Sequence, residues 1–154
     1  MNKNLKRTLS RLMAVQIFHQ NEFLNNEKTV DEIKQEMMEN YLIDPADDLS
    51  SYRDKIDNVF LDNLLSGIAL DDKKIDADIS EFLKAGWKIE NLEGITAQVL
   101  RCGAFELKYV KNIPPKIVIA EYVDIAAAFL DRKQLTFVNA LLEKLARKFR
   151  AEEF

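Results

Sequence analysis

Over 154 residues there are one cysteine, one histidine, four glycines and three prolines. Each shortage excludes something. A lone Cys102 can close no internal disulfide and build no cysteine-based metal cluster. A lone His19 argues against a histidine-ligated zinc site. The glycines are isolated, so no Gly-rich loop can cradle a phosphate, and no nucleophile elbow is present. The N-terminus lacks the apolar run of a signal peptide. Nowhere do about 18 apolar residues run together to span a bilayer. A cytoplasmic location is therefore expected, in the reducing compartment. No catalytic residue, metal or cofactor is expected. Cys102, among apolar residues, reads as a small buried hydrophobe. The acidic pairs Asp47-Asp48 and Asp71-Asp72 lie beside loops or helix starts, where they complement helix dipoles.

What is present is hydrophobic and charged residues, 47% and 31% of the chain. That balance fits one domain with a real core. The net charge of −4 is unevenly spread. Residues 1–19 hold Lys3, Lys6, Arg7 and Arg11 and no acid. Residues 132–150 hold Arg132, Lys133, Lys144, Arg147, Lys148 and Arg150 against Glu143 alone. Residues 27–81 carry sixteen acids against six bases. If folding brings the basic ends together, they form one cationic surface on an acidic body. Solvated terminal helices would look the same.

Few breakers and long Glu/Lys/Leu/Ala-rich stretches favour helices. A first helix over 4–23 has an apolar stripe of Leu5, Leu9, Leu12, Val15/Gln16 and Phe18/His19, stopped by Asn25 and Asn26. Thr29 and Glu32 form a capping-box pattern ahead of Val30, Ile33, Met37 and Tyr41. Pro45 and Asp47–Ser51 read as a loop. A third helix, from about Tyr52 to Gly67, would turn Ile56, Val59, Phe60, Leu64 and Leu65 inward. A fourth follows to about Leu83 with Ile68, Ile75 and Ile79. The Ala85-Gly86-Trp87 turn and Gly94 bound a short connection. A fifth helix, Ile95–Tyr109, is apolar on most sides and so central. Asn112-Ile113-Pro114-Pro115 breaks it. A sixth covers Lys116–Phe129, and a seventh runs from Thr136, as N-cap, to about Arg150. No strand alternation appears. The expected fold is all-α, about seven helices in two small bundles, roughly 1–83 and 88–150.

Four segments, in order, carry a resemblance. Val99-Leu100-Arg101-Cys102-Gly103-Ala104-Phe105-Glu106-Leu107 is similar to an "hLRxAxYEL" helix. Ile113-Pro114-Pro115-Lys116-Ile117-Val118-Ile119-Ala120-Glu121 is similar to "hPxxVxINE". Phe137-Val138-Asn139-Ala140-Leu141-Leu142-Glu143-Lys144 looks like "FVNGVLdk", and Arg11-Leu12-Met13-Ala14-Val15-Gln16 like the "RxxAhQ" start. Together they resemble the NusB transcription-antitermination family. Ala120, Ala140 and Ala127 depart from its Asn, Gly and Lys, and the basic start is sparser than in some relatives.

The resemblance implies a non-enzymatic protein of seven helices in two bundles. It would bind boxA RNA of ribosomal-RNA operon transcripts with the small-subunit ribosomal protein NusE. The pair would then join the RNA polymerase antitermination complex. Single-stranded RNA needs cations for phosphates and flat side chains for bases. Lys3, Lys6, Arg7 and Arg11 are the expected phosphate contacts at one end, Arg132 and Lys133 at the other. By its residues Phe137 reads as a core staple; by the resemblance it contacts RNA. Phe129 has the same two readings. Asn139 could cap, pair internally or read a base edge. Glu106 and Glu121 are expected to pair with internal Arg or Lys. The partner is expected at the fifth helix and the segment before it, where Glu90 and Glu93 would meet a basic ribosomal protein and Thr96 replaces an acid. Two other settings suit the same helices: the RNA-binding module of a ribosomal-RNA cytosine methyltransferase, which needs a further domain beyond Phe154, and a helical adaptor without RNA.

Overall fold

The structure, a computed structural model, describes residues 2–40 and 55–154. Six α-helices and no strand occur among them, as the all-α expectation requires. Tyr41, the Pro45 and Asp47–Ser51 loop and the start of a helix at Tyr52 lie outside the described residues.

The chain forms two compact units, Met1–Leu65 and Ser66–Phe154. Residues 66–83, assigned by sequence to the first bundle, belong to the second unit.

In the first unit, α1 (Lys3–Phe23) begins at Asn2, whose Oδ1 accepts the Leu5 amide at 2.8 Å. That occupies one of the four donors a helix start leaves open. It stops at Asn25 and Asn26, which have φ of 51° and 63°, a left-handed region that asparagine tolerates. Its buried stripe is Ser10, Met13, Ala14 and Ile17, flanked by Arg11 and Val15. This corrects the expected stripe: Leu5 is exposed, and Leu9, Leu12, Phe18 and His19 are half-buried. Both stripes fit a helical period, and the partner elements decide which one is covered. α1 packs against α2 (Val30–Asn40). The Glu32 amide donates to Thr29 Oγ1 at 3.1 Å, so the expected cap forms, and Ile33, Met37 and Met38 are buried.

The two expected helices meet not at Gly67 but four residues later, within α3 (Asn58–Ser80), at a kink where Asp71 leaves the helical region with φ −117° and ψ 16°. Asp57 caps it by accepting the Phe60 amide at 3.0 Å. Ile56, Phe60, Leu64 and Leu65 are buried, but Val59 points outward. Gly67 does not end a helix. A Cβ there would sit 2.3 Å from Cζ of Phe105, so glycine is what lets that ring lie against the α3 backbone.

In the second unit, α4 (Gly94–Tyr109) is buried along most of its length and packs on both α5 (Pro115–Ala127) and α6 (Arg132–Phe149). It is the central helix the composition pointed to. Pro115 opens α5, a position where its missing N–H costs nothing. The Tyr122 hydroxyl donates to the buried Glu106 carboxylate, so a phenol is among the partners where Arg or Lys was expected. The last residues of α3 are tied in by charge. Arg101 grips Asp76 through two hydrogen bonds of 2.8 and 3.0 Å, and Lys148 bridges Asp78 and Glu81 at 3.0 and 2.6 Å.

Candidate nucleic-acid interface

The cations of α1 divide by depth. Lys3 is exposed and Lys6 half-buried. Both rim a shallow hollow of about 440 Å³ that also touches Ile56, Asp57, Asn58 and Val59. Arg7 and Arg11, one turn apart, lie over the same ring: their guanidinium carbons stand 5.1 and 5.0 Å from the Phe60 centroid. Arg7 Nε is 3.6 Å from Asp57 Oδ2, an ion pair without a hydrogen bond. Ser10 completes the knot. Its hydroxyl accepts the Asp57 amide at 2.9 Å and donates to the Lys6 carbonyl at 2.7 Å. Arg11, expected at a phosphate, is only 3% exposed. Phe60, the ring that Arg11 covers, is not among the expected site residues, and neither is Asp57, the ion-pair partner of Arg7. Only an N-cap Asp three residues ahead of an aromatic hinted at them.

The cations of α6 face outward at its start. Asp131 caps the helix: its carboxylate accepts the Gln134 amide at 2.8 Å, and Gln134 Oε1 accepts the Asp131 amide at 3.1 Å. This corrects Thr136 as the cap. Thr136 lies inside the helix and its hydroxyl donates to the Arg132 carbonyl at 3.0 Å. Arg132 and Lys133 therefore occupy the first turn, exposed. Phe137 is 37% exposed and Phe129, just before α6, is 44% exposed. At about 100° per residue, Phe137 shares an edge of the exposed arc with Lys133 and Lys144, while Asn139 and Arg132 share the opposite edge. Asn139 opens onto a groove of about 680 Å³ between α5 and α6, beside Lys116, Ala120 and Arg147.

Two of the C-terminal bases are otherwise engaged. Arg150 is fully buried. It donates to the carbonyls of Ile113 and Lys111 at 2.7 and 3.0 Å and is clasped by Glu153. Hydrogen bonds donated to Glu81 and Asp78 hold the Lys148 ammonium above its ordinary pKa. Burial pushes the Asp78 carboxyl up, but hydrogen bonds from Lys108 and Lys148 outweigh it and the net shift is downward. The charge counted along this stretch overstates what is free to meet a phosphate. Cys102 is buried, and its thiol is pushed upward by that burial.

Glu90 and Glu93 are both exposed, ahead of α4. Glu93 accepts a 2.7 Å hydrogen bond from Gln134 Nε2. One of the expected partner residues thus touches the helix start that carries Arg132 and Lys133. Thr96 is buried.

The described residues define an all-helical class of protein, two compact units with exposed aromatics beside cations, and similarity defines the family. The NusB family profile matches residues 8–147, and the chain belongs to that family. A transcription antitermination protein NusB from Bradyrhizobium diazoefficiens is 44% identical over 95 residues, covering 62% of this chain and 58% of that protein. The chain spans less than two thirds of the length of the curated relatives it matches. The structure of NusB from T. maritima superposes with a TM-score of 0.77 at 26% identity, covering 96% of both chains. A chain from a complex of the antitermination factors NusB and NusE with dsRNA superposes with a TM-score of 0.73, covering 92% of this chain and 96% of that one. At 20% identity that likeness is one of fold.

Proposed function

We propose that this chain is a cytoplasmic, non-enzymatic antitermination factor that binds boxA-type single-stranded RNA of ribosomal-RNA operon transcripts together with the ribosomal protein NusE. The pair then joins the RNA polymerase antitermination complex. The observation that carries the reading is the start of α6, where the exposed ring of Phe137 sits one turn from the exposed Lys133. Base stacking needs a ring face open to solvent, and the adjoining phosphates need a cation nearby. Phe129, and on the opposite edge of α6 Arg132 and Asn139, widen that surface, and Lys3, Lys6 and the exposed part of Arg7 supply a second one on the first unit. Glu90 and Glu93 are acids offered to a basic protein partner, which steers association more than it adds affinity.

Mobility shift of a boxA oligonucleotide by the purified chain, with and without NusE, tests this. Retention that NusE strengthens is expected. If NusE is bound and RNA is not retained under either condition, the chain acts as a protein adaptor and the RNA reading falls.

A further inference from the structure

We propose that the loop between α3 and α4 carries a separate stacking site for single-stranded RNA, with Trp87 as its platform and Lys84 and Lys88 as its phosphate partners. The proposal rests on the RNA-binding reading above and adds a contact point that reading does not use.

The loop is built rather than slack. The Trp87 amide donates to the Lys84 carbonyl at 2.8 Å, closing a tight turn. Gly86 sits within it at φ +84°, a conformation that L side chains rarely adopt, and no atom would lie within 4 Å of a Cβ there. The glycine is needed for the backbone path and not for packing. On the far side, the Lys88 amide donates to Asn91 Oδ1 at 2.8 Å, and Ile89 is buried. The segment is therefore held on both flanks of Trp87.

Held this way, the indole is still 45% exposed. The Lys84 ammonium lies 6.0 Å from its ring centroid, and Lys88 follows directly. Neither ammonium has a carboxylate within ion-pair distance among the described residues. The nearest acid before them, Glu81, is taken by Lys148 at 2.6 Å. Lys108 and Lys148, by contrast, are both engaged by carboxylates. An exposed indole with one uncompensated cation 6.0 Å from its ring and a second on the next residue matches what a stacked base and its phosphates require. An exposed indole can also anchor a protein, but a basic ribosomal protein would meet like charge at Lys84 and Lys88. The charge favours RNA.

Trp87 is the chain's single tryptophan, so its emission reports this loop alone. The intact chain is titrated with a boxA-type single-stranded oligonucleotide and, separately, with inorganic polyphosphate of matched charge. Saturable quenching by RNA but not by polyphosphate is expected. Trp87→Ala should lower RNA affinity about fivefold to a hundredfold, the range for losing one stacked base, while Trp87→Phe keeps most of it. Circular dichroism checks that both variants fold. If Phe137→Ala weakens RNA binding but Trp87→Ala leaves affinity unchanged and wild-type emission does not respond, the loop site is wrong and the RNA reading survives. If Trp87→Ala weakens NusE binding and spares RNA, the indole is a protein anchor and the proposal is overturned. If the chain retains no RNA at all, both readings fall together.

Discussion

At the start of α1, Arg7 and Arg11 fold over the ring of Phe60 beside Asp57; at the start of α6, Arg132 and Lys133 both stand in solvent, Lys133 on the same edge of the helix as the open ring of Phe137. Both places pair basic residues with a phenylalanine. In the first the ring is 8% exposed and the cations cover it. In the second the ring is part of the surface and its cations lie beside it. Covered cations serve the fold, since their charge and hydrocarbon stems are spent on a buried partner. Uncovered ones remain available to a ligand. A count of positive residues cannot tell the two apart.

The sharpest break is expected at Arg150, the covered cation of the second unit. Arg150→Ala strands two backbone acceptors and the Glu153 carboxylate, and should cost about 3 kcal/mol or more in urea unfolding. RNA affinity of the folded fraction should not move; a large loss there would place Arg150 with the uncovered set. Next, Arg11→Ala should cost about 1–2 kcal/mol of stability through lost packing on Phe60. The salt dependence of RNA binding should stay the same, and a flatter slope in a binding titration would show that Arg11 reaches phosphate after all.

Phe137→Ala should do the reverse. RNA affinity is expected to fall by about 1–3 kcal/mol with little change in thermal stability, whereas a core phenylalanine lost to alanine typically costs about 3–5 kcal/mol. A cooperative loss of stability with normal RNA retention would make Phe137 a core residue. Lys133→Ala is the milder companion: the log–log salt slope should flatten by about 0.7, one phosphate contact on a single strand.

The smallest effect concerns acid. The folded Asp78 carboxyl is held below its ordinary value because hydrogen bonds from Lys108 and Lys148 outweigh its burial. Its contribution is thus complete at neutral pH and is lost as pH falls through the carboxylate range near pH 4 and below. Asp78→Asn should make unfolding less sensitive to pH in that acid window, and an unchanged profile would remove Asp78 from the account.

Much of this was legible in the sequence because the signals were local. Thr29 and Glu32 marked the cap of α2, Asn25 and Asn26 the end of α1, and Pro114-Pro115 the break before α5. The central place of α4 followed from its apolar residues on nearly every side. Where sequence and structure differ, one cause is local and the others are not. Asp131-x-x-Gln134 is a capping box, but Thr136 is a rival N-cap by residue type, four residues after the true start of α6 at Arg132. Gly67 has the look of a breaker, and only the ring of Phe105, distant in the chain, explains why the helix runs through it. The two stripes of α1 are equivalent by periodicity, so choosing between them needs the elements that cover one. For the same reason, the inward turn of Arg11 could not be read from its neighbours in sequence.

The side-chain amide of Gln134 is occupied at both ends. Its oxygen accepts the Asp131 amide at the mouth of α6, and its nitrogen donates to Glu93. A ligand that draws Glu93 away must first release that nitrogen, and whatever it costs to do so depends on how firmly the oxygen is held. The exchange runs equally in the other direction. Thermodynamic reciprocity makes any factor by which occupancy at Glu93 alters binding at the α6 start equal to the factor by which binding there alters affinity at Glu93. Any coupling of that kind between the two surfaces of the second unit would pass through this one carboxamide.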